Sequence, residues 1–324
     1  MTTNIAIVGT GGMGTVHYKN YLRIPNVQIT GLVDISGQGL ASAKAWKLPV
    51  FSTIEDLVAN VPVNIVDVCT PTFLHKEHSL SALALGCHVI CEKPAALTRL
   101  DAEEMFQAAD AVGRQLYIAQ VLQFSPEIEA LQKIVDTNEF GHILDARFER
   151  VTGRPTWIKN GWLFDKSKSG LLPFDLHIHD LFAIISLFGN PIDFNYTQTN
   201  RPGSDISEHY RVAYRFANFS ISAESAWFNA NYPFVAQWRV VFEKAVVEFS
   251  NSKLIVYPAG KPSLEISLDD EPKIETGINL PPTGMFYREL SHFVECANHN
   301  RASNRVRREN ILSAIDILES FNHL

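Results

Sequence analysis

Ile5-Ala6-Ile7-Val8 runs directly into Gly9-Thr10-Gly11-Gly12-Met13-Gly14, and this stretch decides the fold of the first half of the chain. The four apolar residues are typical of a buried strand, and the residues from Met13 to about Leu22 are typical of a helix. The glycines fit G-x-G-x-x-G: Gly9 permits a tight turn, Gly11 lets the backbone approach a pyrophosphate, and Gly14 lets the helix pack against the strand. The helix N-terminus offers N–H groups to an anion. The stretch therefore predicts a dinucleotide cradle, to which Gly12 and Met13 also belong.

An acidic residue follows the second predicted strand at the spacing that a dinucleotide site requires. Val27–Val33 reads as that strand, and Asp34 lies 20 residues after Gly14. A carboxylate in this place holds the ribose hydroxyls of the adenosine and repels a 2′-phosphate. No arginine or lysine occurs between Asp34 and Lys44. The sequence therefore favours NAD over NADP.

Strands and helices alternate through the first 120 residues, which predicts a doubly wound parallel sheet covered by helices on both faces. Ligands of such sheets bind outside the carboxyl ends of the strands. Several polar groups follow predicted strands there and are candidate cofactor contacts: Thr70, Pro71, His75, Glu92, Lys93 and Gln120.

The second half has a different rhythm, with runs of alternating strands such as Ile143–Arg150, Tyr210–Phe216 and Phe219–Ala226. This pattern predicts an open, mostly antiparallel sheet with few helices, that is, an α+β domain. We therefore expect an α/β domain over residues 1–120 and a substrate and oligomerisation domain over 121–324. The final helices, Met285–Asn298 and Arg308–Phe321, are able to pack back on the first domain.

Composition narrows the class of protein. The chain has 324 residues and a net charge of −7, without a long basic block, which disfavours nucleic-acid binding. No apolar stretch is expected to reach the length of a membrane span, and no secretion leader is evident. The four cysteines lack zinc-ligand spacing, so no metal is expected. A cytoplasmic protein is the expectation.

Four motifs in order carry a family resemblance: G-x-G-x-x-G, then Cys69-Thr70-Pro71-Thr72-Phe73-Leu74-His75, Cys91-Glu92-Lys93-Pro94 and Asp175-Leu176-His177-Ile178-His179. The chain resembles the glucose–fructose oxidoreductase, inositol dehydrogenase and rhizopine catabolism group, the Gfo/Idh/MocA family, over essentially its whole length. The resemblance implies a Rossmann domain joined to an α+β domain and an NAD(P)-dependent activity on sugars or cyclitols. It also implies homodimers or homotetramers that associate through the open sheet.

The resemblance implies roles for three catalytic candidates. His179 matches the proton-transfer histidine, and an imidazole titrates near neutral pH. Asp175 lies one helical turn earlier, where it would bind substrate hydroxyls or orient the histidine. Lys93 matches the family lysine, whose ammonium would stabilise alkoxide character on the reacting oxygen. Glu92 is expected near the nicotinamide ribose or as an anchor of the loop.

The sequence also offers three weaker candidates for substrate contacts and departs from the family pattern in two places. Trp157 and Trp162 are candidates to stack on a sugar, and His177 is a candidate to line the site, although a packing role is equally open for the tryptophans. His177-x-His179 also suggests a metal, but no third ligand is spaced nearby. Gln120–Gln123 replaces a basic pattern of many relatives, and Leu171–Pro173 replaces a glycine-rich approach. These departures leave the substrate unnamed and argue against an anionic one.

The leading hypothesis is an NAD-dependent oxidoreductase acting on a secondary alcohol of a sugar, polyol or cyclitol. Two alternatives stay open at this point. One is a non-catalytic NAD-binding regulator, although such proteins tend to lose the lysine or histidine that this chain keeps. The other is a redox-assisted lyase or glycosidase that takes and returns a hydride.

Overall fold

In the computed structural model, which describes residues 2–34, 37–156, 158–278 and 280–321, the first half forms a six-stranded sheet. All of its strands are parallel and their order is β3-β2-β1-β4-β5-β6. The prediction of a doubly wound parallel sheet is confirmed. The strands are β1 (Thr3–Val8), β2 (Val27–Val33), β3 (Val50–Phe51), β4 (Ile65–Val68), β5 (His88–Glu92) and β6 (Leu116–Ala119).

Five helices connect these strands: α1 (Gly12–Tyr21), α2 (Gly37–Trp46), α3 (Ile54–Asn60), α4 (His75–Ala84) and α5 (Arg99–Ala111). Local chemistry sets where two of them begin. The hydroxyls of Thr53 and Thr98 accept the backbone N–H groups of Asp56 and Asp101, each at 3.1 Å, and so cap α3 and α5. The central strands β1, β4 and β5 are almost wholly buried, as continuous apolar runs in a parallel sheet should be.

The second half forms an eight-stranded sheet of order β14-β13-β12-β11-β7-β10-β9-β8. Among the described strands of this second sheet only the pair β7–β10 is parallel, so the prediction of a mostly antiparallel sheet is also confirmed. The strands are β7 (Ile143–Gly153), β8 (Asp193–Asn200), β9 (Ser207–Arg215), β10 (Ser220–Phe228), β11 (Val235–Phe242), β12 (Ala245–Ser250), β13 (Lys253–Pro258) and β14 (Leu264–Ile266).

The helices of the remaining chain are α6 (Pro126–Thr137), α7 (Lys166–Ser169), α8 (Ile178–Phe188), α9 (Met285–Asn298) and α10 (Arg308–Ser320). A π-helical turn, Pro173–His177, leads directly into α8. The segment Lys166–Phe188 is, by length and composition, apolar enough to cross a membrane, which differs from the expectation that no stretch reaches this length. Because 78% of its most apolar window is buried inside the protein, we interpret it as a core helix.

The chain folds into two compact units. The first comprises Met1–Phe124 and Glu271–Glu319, and the second comprises Ser125–Asp270 and Ser320–Leu324. The sequence predicts a division at residue 120, with the final helices of 121–324 able to pack back on the first domain. In the structure α9 and α10 belong to the first unit, because their apolar faces pack on its core, for example through Phe293 against Tyr117.

Candidate active site

The turn after β1 has the backbone that its glycines predict. Gly9 has φ +90°, and a Cβ on it would lie 2.9 Å from the Cys69 carbonyl oxygen at the end of β4. A Cβ on Gly14 would lie 2.0 Å from the Gly9 carbonyl oxygen, so only glycine lets α1 begin this close to β1. Around Gly11, by contrast, a Cβ would meet no atom of the described residues within 4 Å. Gly11 is therefore not required for packing, and its surroundings are open to a ligand.

Asp34 is tied to this turn at the carboxyl end of β2. Its Oδ2 accepts the backbone N–H of Thr10 at 2.9 Å and the Thr10 hydroxyl at 2.6 Å. Gly39 of α2 allows this arrangement, since a Cβ there would lie 2.3 Å from the Asp34 Cβ. The carboxylate thus has a fixed place beside the glycine turn, as a ribose-binding acid needs.

The turns after β4 and β5 are joined by one buried side chain. The His75 Nδ1 lies 2.7 Å from the Pro94 carbonyl oxygen, and its Nε2 lies 2.8 Å from the Thr70 carbonyl oxygen. Burial lowers the pKa of His75 below its usual value, against the opposing effect of these carbonyls. His75 therefore fixes the turns that carry Thr70, Pro71 and Lys93, and its burial favours this bracing role over direct contact with a cofactor.

Lys93 follows β5 on the same edge of the sheet as the glycine turn and Asp34. The strands of a sheet lie about 4.8 Å apart, so the three spacings from β2 to β5 span roughly 14 Å. The Lys93 backbone N–H donates to its neighbour Glu92 at Oε2 (3.1 Å), and Lys93 is half-buried. Gln120, after β6, is buried. Five neighbouring strand ends thus present the predicted residues along one edge.

Buried polar residues that no sequence motif indicated lie next to Glu92, near this edge of the sheet. His17 of α1 is fully buried, with Nδ1 2.8 Å from Asp67 Oδ2 and Nε2 3.0 Å from Glu92 Oε1. One signal was available: Asp67 interrupts the apolar strand Ile65–Val68, and a buried carboxylate requires a partner. The spacing of 50 residues between His17 and Asp67 hid which partner it was.

The apolar side of the glycine turn is covered from α9. Val16, Val121, Met285 and Phe286 form a buried cluster, against which Met13, Ile278 and Leu280 pack. The half-buried side chain of Met13 packs against this cluster, and its contact with a cofactor stays a prediction.

The departure at Gln120–Gln123 also has a structural counterpart. Arg288 donates to the Phe124 carbonyl oxygen through Nε (2.8 Å) and Nη2 (2.6 Å), and Arg305 donates through Nη2 to the Gln123 carbonyl oxygen. The guanidinium of Arg305 also lies 4.3 Å from the centre of the Phe124 ring. Arginines thus reach this segment from later elements and bind its backbone.

In the second unit, Asp175 and His179 stand out by their partial exposure. From Ser169 to Ile185 every residue except these two is buried. They lie four residues apart, across the junction of the π-helical turn with α8. Such π-turns occur frequently at functional sites. Two half-buried polar residues that interrupt an otherwise buried segment fit a functional pair better than a core pair.

The backbone that leads into this segment is strained. Leu171 has φ +64°, a region that favours glycine and costs other residues about 1–2 kcal/mol. The Ser169 hydroxyl accepts the Leu171 N–H at 2.9 Å and donates to the Leu163 carbonyl oxygen at 2.7 Å. Leu171 therefore keeps a glycine-like conformation where the glycine-rich pattern is lost, and observed strain of this kind clusters at functional sites.

The placement of His177 speaks against its expected role in lining a substrate site. The residue is fully buried, and its Nε2 and Nδ1 lie 2.6 Å from the Tyr214 hydroxyl and 3.0 Å from the Ser225 hydroxyl. Burial, followed by the charge of Arg150, lowers its pKa to about 3. His177 is therefore a neutral, hydrogen-bonded core residue.

Of the two tryptophans that are candidates to stack on a sugar, Trp162 is half-buried on the 3₁₀ turn Lys159–Phe164, and Trp157 lies outside the described residues.

The first unit fits a dinucleotide by its own geometry. The described residues leave open space around Gly11. Because Gly11 is the N-cap of α1 and has no side chain to cap the helix, the first N–H groups of α1 face the turn. Asp34 is fixed where a ribose would bind, at the edge where the strand order reverses between β1 and β4. These features would hold NAD with its pyrophosphate at the glycine turn.

Comparison with known proteins agrees with this geometry. Residues 3–120 match the domain described as "Oxidoreductase family, NAD-binding Rossmann fold", and residues 128–248 match the GFO/IDH/MocA C-terminal domain. D-glucoside 3-dehydrogenase of Escherichia coli (strain K12) is 31% identical over 193 residues, which cover 58% of this chain and 54% of the relative. Inositol 2-dehydrogenase 1 of Paenarthrobacter aurescens (strain TC1) is 25% identical over 275 residues, 80% of this chain and 77% of the relative.

A solved structure supports the fold over the whole length. The aldose-aldose oxidoreductase from Caulobacter crescentus, complexed with glycerol, superposes with a TM-score of 0.85 at 22% identity, covering 100% of this chain and 97% of that one. The match to D-glucoside 3-dehydrogenase, by contrast, spans only about half the length of that relative. With both of its domains matched in order, the chain belongs to the Gfo/Idh/MocA family of oxidoreductases, whose first domain is an NAD-binding Rossmann fold.

Proposed function

We propose that this protein is an NAD-dependent oxidoreductase that transfers hydride between a secondary alcohol of a sugar, polyol or cyclitol and nicotinamide. One observation carries the proposal: Lys93 follows β5 on the edge where the glycine turn and Asp34 follow β1 and β2. A cation at that edge lies in the crevice in which Rossmann domains bind dinucleotides. The names of D-glucoside 3-dehydrogenase and inositol 2-dehydrogenase 1 support the class of substrate.

Each chemical task has a candidate residue in this proposal. Bound NAD supplies the hydride acceptor. The hydroxyl proton of the substrate passes to the His179 imidazole, a common general base at neutral pH. The Lys93 ammonium stabilises negative charge on the alcohol oxygen as that proton leaves. Asp175, half-buried like His179 and four residues before it, accepts hydrogen bonds from substrate hydroxyls.

A panel of sugars, polyols and inositols, with NAD in excess and absorbance at the NADH band as readout, tests this function. Replacing the lysine in Lys93→Ala should lower turnover by on the order of 10²-fold or more, as loss of an oxyanion donor does elsewhere. Lys133→Ala, which removes an exposed lysine of α6, is the matched control and should keep turnover. Unchanged turnover in Lys93→Ala would remove Lys93 from the mechanism.

The choice of NAD over NADP rests on Asp34 and is tested by titration. The carboxylate beside the glycine turn would accept hydrogen bonds from two ribose hydroxyls and would repel a 2′-phosphate. We expect NAD to bind at least tenfold more tightly than NADP. Equal or tighter binding of NADP would contradict this role of Asp34.

We further propose that the protein forms a homodimer or homotetramer through the face of its large sheet that points away from α8. The residues on this face are exposed or half-buried, among them Arg147 of β7, Arg211 of β9, and Ser222 and Glu224 of β10. Light scattering after size exclusion measures the oligomeric state directly, and a monomer at micromolar concentration would contradict this proposal.

We also propose that the protein works in a reducing, cytoplasmic compartment. All four cysteines lie in the described part of the chain and none of them forms a disulfide, which supports this proposal.

A further inference from the structure

His17 lies between the carboxylates of Asp67 and Glu92, and Glu92 directly precedes Lys93, the proposed catalytic lysine. Asp67 interrupts the buried strand β4, and its Oδ2 lies 2.8 Å from His17 Nδ1. The other ring nitrogen, Nε2, lies 3.0 Å from Oε1 of Glu92. The side chains of His17 and Asp67 are fully buried and that of Glu92 is 9% exposed, so this contact is shielded from water.

The charges favour a protonated histidine. Nδ1 is hydrogen-bonded to the Asp67 carboxylate, and Nε2 lies at ion-pair distance from the Glu92 carboxylate; a charged imidazole, with a proton on both nitrogens, suits both neighbours. Burial alone would lower the pKa of His17, but the Asp67 carboxylate and the Cys69 thiol hold it well above its usual value. Burial would likewise raise the pKa of Glu92, but His17 and then Lys93 bring it below its usual value.

A metal ion is the competing explanation, because His17, Asp67 and Cys69 place ligand atoms within 4.8 Å of one another. Two ligand atoms at about 2.0 Å from a tetrahedral zinc lie roughly 3.3 Å apart. The observed 2.8 Å between His17 Nδ1 and Asp67 Oδ2 is shorter and is the length of a charge-assisted hydrogen bond. The geometry fits a shared proton better than zinc.

The contact reaches Lys93 through one residue. While Oε1 of Glu92 faces His17, its Oε2 accepts the backbone N–H of Lys93 at 3.1 Å. On the far side of the lysine, the Pro94 carbonyl oxygen is bound by His75 at 2.7 Å. The turn Glu92-Lys93-Pro94 is thus held at both ends, and the His17 contact determines the position of one of them.

We infer that His17 is a positioning residue: bound between Asp67 and Glu92, it holds the Glu92 carboxylate against the Lys93 backbone and so fixes the lysine at the edge of the sheet. The catalytic consequence rests on the proposed function, but the structural consequence does not. The interaction also joins α1, which begins at the glycine turn, to β5, which ends at the lysine, so that two parts of the site move as one.

Other groups facing His17 define the setting of this interaction. Tyr21 of the same helix and Cys69 at the end of β4 lie beside it, and Phe286 of α9 has its ring centre 6.4 Å from the His17 ring. Glu289 of α9 is fully buried, and burial followed by the charge of Glu92 raises its pKa well above its usual value. Glu289 therefore takes on negative charge less readily than an ordinary carboxyl group, which favours Glu92 as the second anionic neighbour of His17.

The test compares His17→Gln with His88→Gln. His88 is a buried histidine at the opposite end of β5, where its Nδ1 accepts the Gln115 N–H, so it controls for the loss of a buried ring. The first readout is hydrogen exchange of the Lys93 backbone amide, which needs no substrate. We expect exchange about tenfold faster in His17→Gln, because local opening becomes easier, and no change in His88→Gln.

The second readout is kinetic, measured once the wild type has a known substrate. Misplacing the lysine should lower kcat by about 10- to 100-fold in His17→Gln and change KM much less. Glu92→Gln should have a similar effect, and the double variant should be no worse than either single variant, since both act through one contact. Multiplying effects in the double variant would overturn the inference.

The outcomes separate the inference from the proposed function. An inactive wild type refutes the proposed function, while the Lys93 amide still decides the inference. Wild-type exchange at Lys93 in both His17→Gln and Glu92→Gln would overturn the inference, and Glu92→Gln keeps the test usable if His17→Gln does not fold. One equivalent of zinc in the purified protein that is lost in His17→Gln would also overturn it, in favour of a metal site.

Discussion

His17 and His177 are both fully buried, yet their partners place them in opposite protonation states. His17 faces two carboxylates and has a raised pKa, whereas His177 faces two hydroxyl groups and has a lowered one. Burial opposes the charged form of both rings. The Asp67 carboxylate, with Cys69, outweighs that effect at His17, and the neutral partners leave it unopposed at His177. Because burial is common to both residues, the identity of the neighbouring atoms accounts for the difference in charge between them.

The lowered pKa of His177 predicts a loss of stability in acid. The folded residue stays neutral down to a pKa of about 3, whereas an unfolded histidine takes up a proton near pH 6.5. Stability from this residue is therefore present above pH 6.5 and is lost as the pH falls below it, by up to about 1.4 kcal/mol per pH unit. Urea unfolding at pH 7 and 5.5 should show a drop that is about 1 kcal/mol smaller in His177→Gln than in the wild type.

The exposed His299 supplies the control for this measurement. His299→Gln makes the same substitution at an exposed site and is measured in parallel, so that the loss of a buried imidazole can be separated from the effect of the substitution itself. Equal losses of stability in His177→Gln and the wild type would show that His177 takes up its proton in the folded protein.

At the scale of elements, the turn between β1 and α1 separates the demands of packing from those of binding. Gly14 is required by packing, since a Cβ would lie 2.0 Å from the Gly9 carbonyl oxygen. Gly11 is not, since a Cβ would meet no atom within 4 Å in the part of the chain that the structure describes, and its φ of −68° suits any residue. The two glycines of one motif therefore have different reasons to be glycine.

This difference predicts opposite phenotypes for two alanine variants. Gly14→Ala should destabilise the first unit by about 1–3 kcal/mol, as overpacking does. Gly11→Ala should change stability by less than about 0.5 kcal/mol but weaken NAD binding at least tenfold, because the methyl group occupies the approach to the backbone. Thermal unfolding and NAD titration of both variants measure this. Unimpaired NAD binding in Gly11→Ala would contradict the cradle.

Elements with a strong local pattern were predictable and the others were not. The apolar runs of β1, β4 and β5 and the glycines after β1 identify the parallel sheet from the sequence alone. The signal for strand β8 is weak, because Asp193–Asn200 lies at the sheet edge beside β9 and only its two aromatic residues, Phe194 and Tyr196, are half-buried apolar positions. The π-helical turn before α8 shifts backbone hydrogen bonds without a change in apolar period, so no pattern indicates it. The His17 contacts depend on tertiary structure, since their partners lie 50 and 75 residues away.

At the scale of the whole molecule, the chain passes between its two units at residues 124–125, 270–271 and 319–320. Each unit has its own sheet and its own buried core, with Ile5 and Ile90 fully buried in the first and Phe148 and Ile221 almost fully buried in the second. Helices α9 and α10 complete the first unit, although they come after residues 125–270 of the second unit in the sequence. Its folding therefore requires the chain on both sides of the second unit, and the proposed cofactor cradle depends on residues from both parts.

This organisation predicts that NAD stabilises the two units unequally. A ligand that binds only the folded first unit, at 100 times its Kd, adds about 2.7 kcal/mol to its free energy of unfolding. Amide exchange of β1, β4 and β5 should slow accordingly, by about 100-fold. Exchange of β7 and β10 should change little, because the core of the second unit is separate. Gly11→Ala at the same NAD concentration is the control and should show a much smaller effect in either unit. Equal slowing of β7 and β10 in the wild type would show instead that the two units unfold as one cooperative body, so that the cofactor stabilises the whole chain.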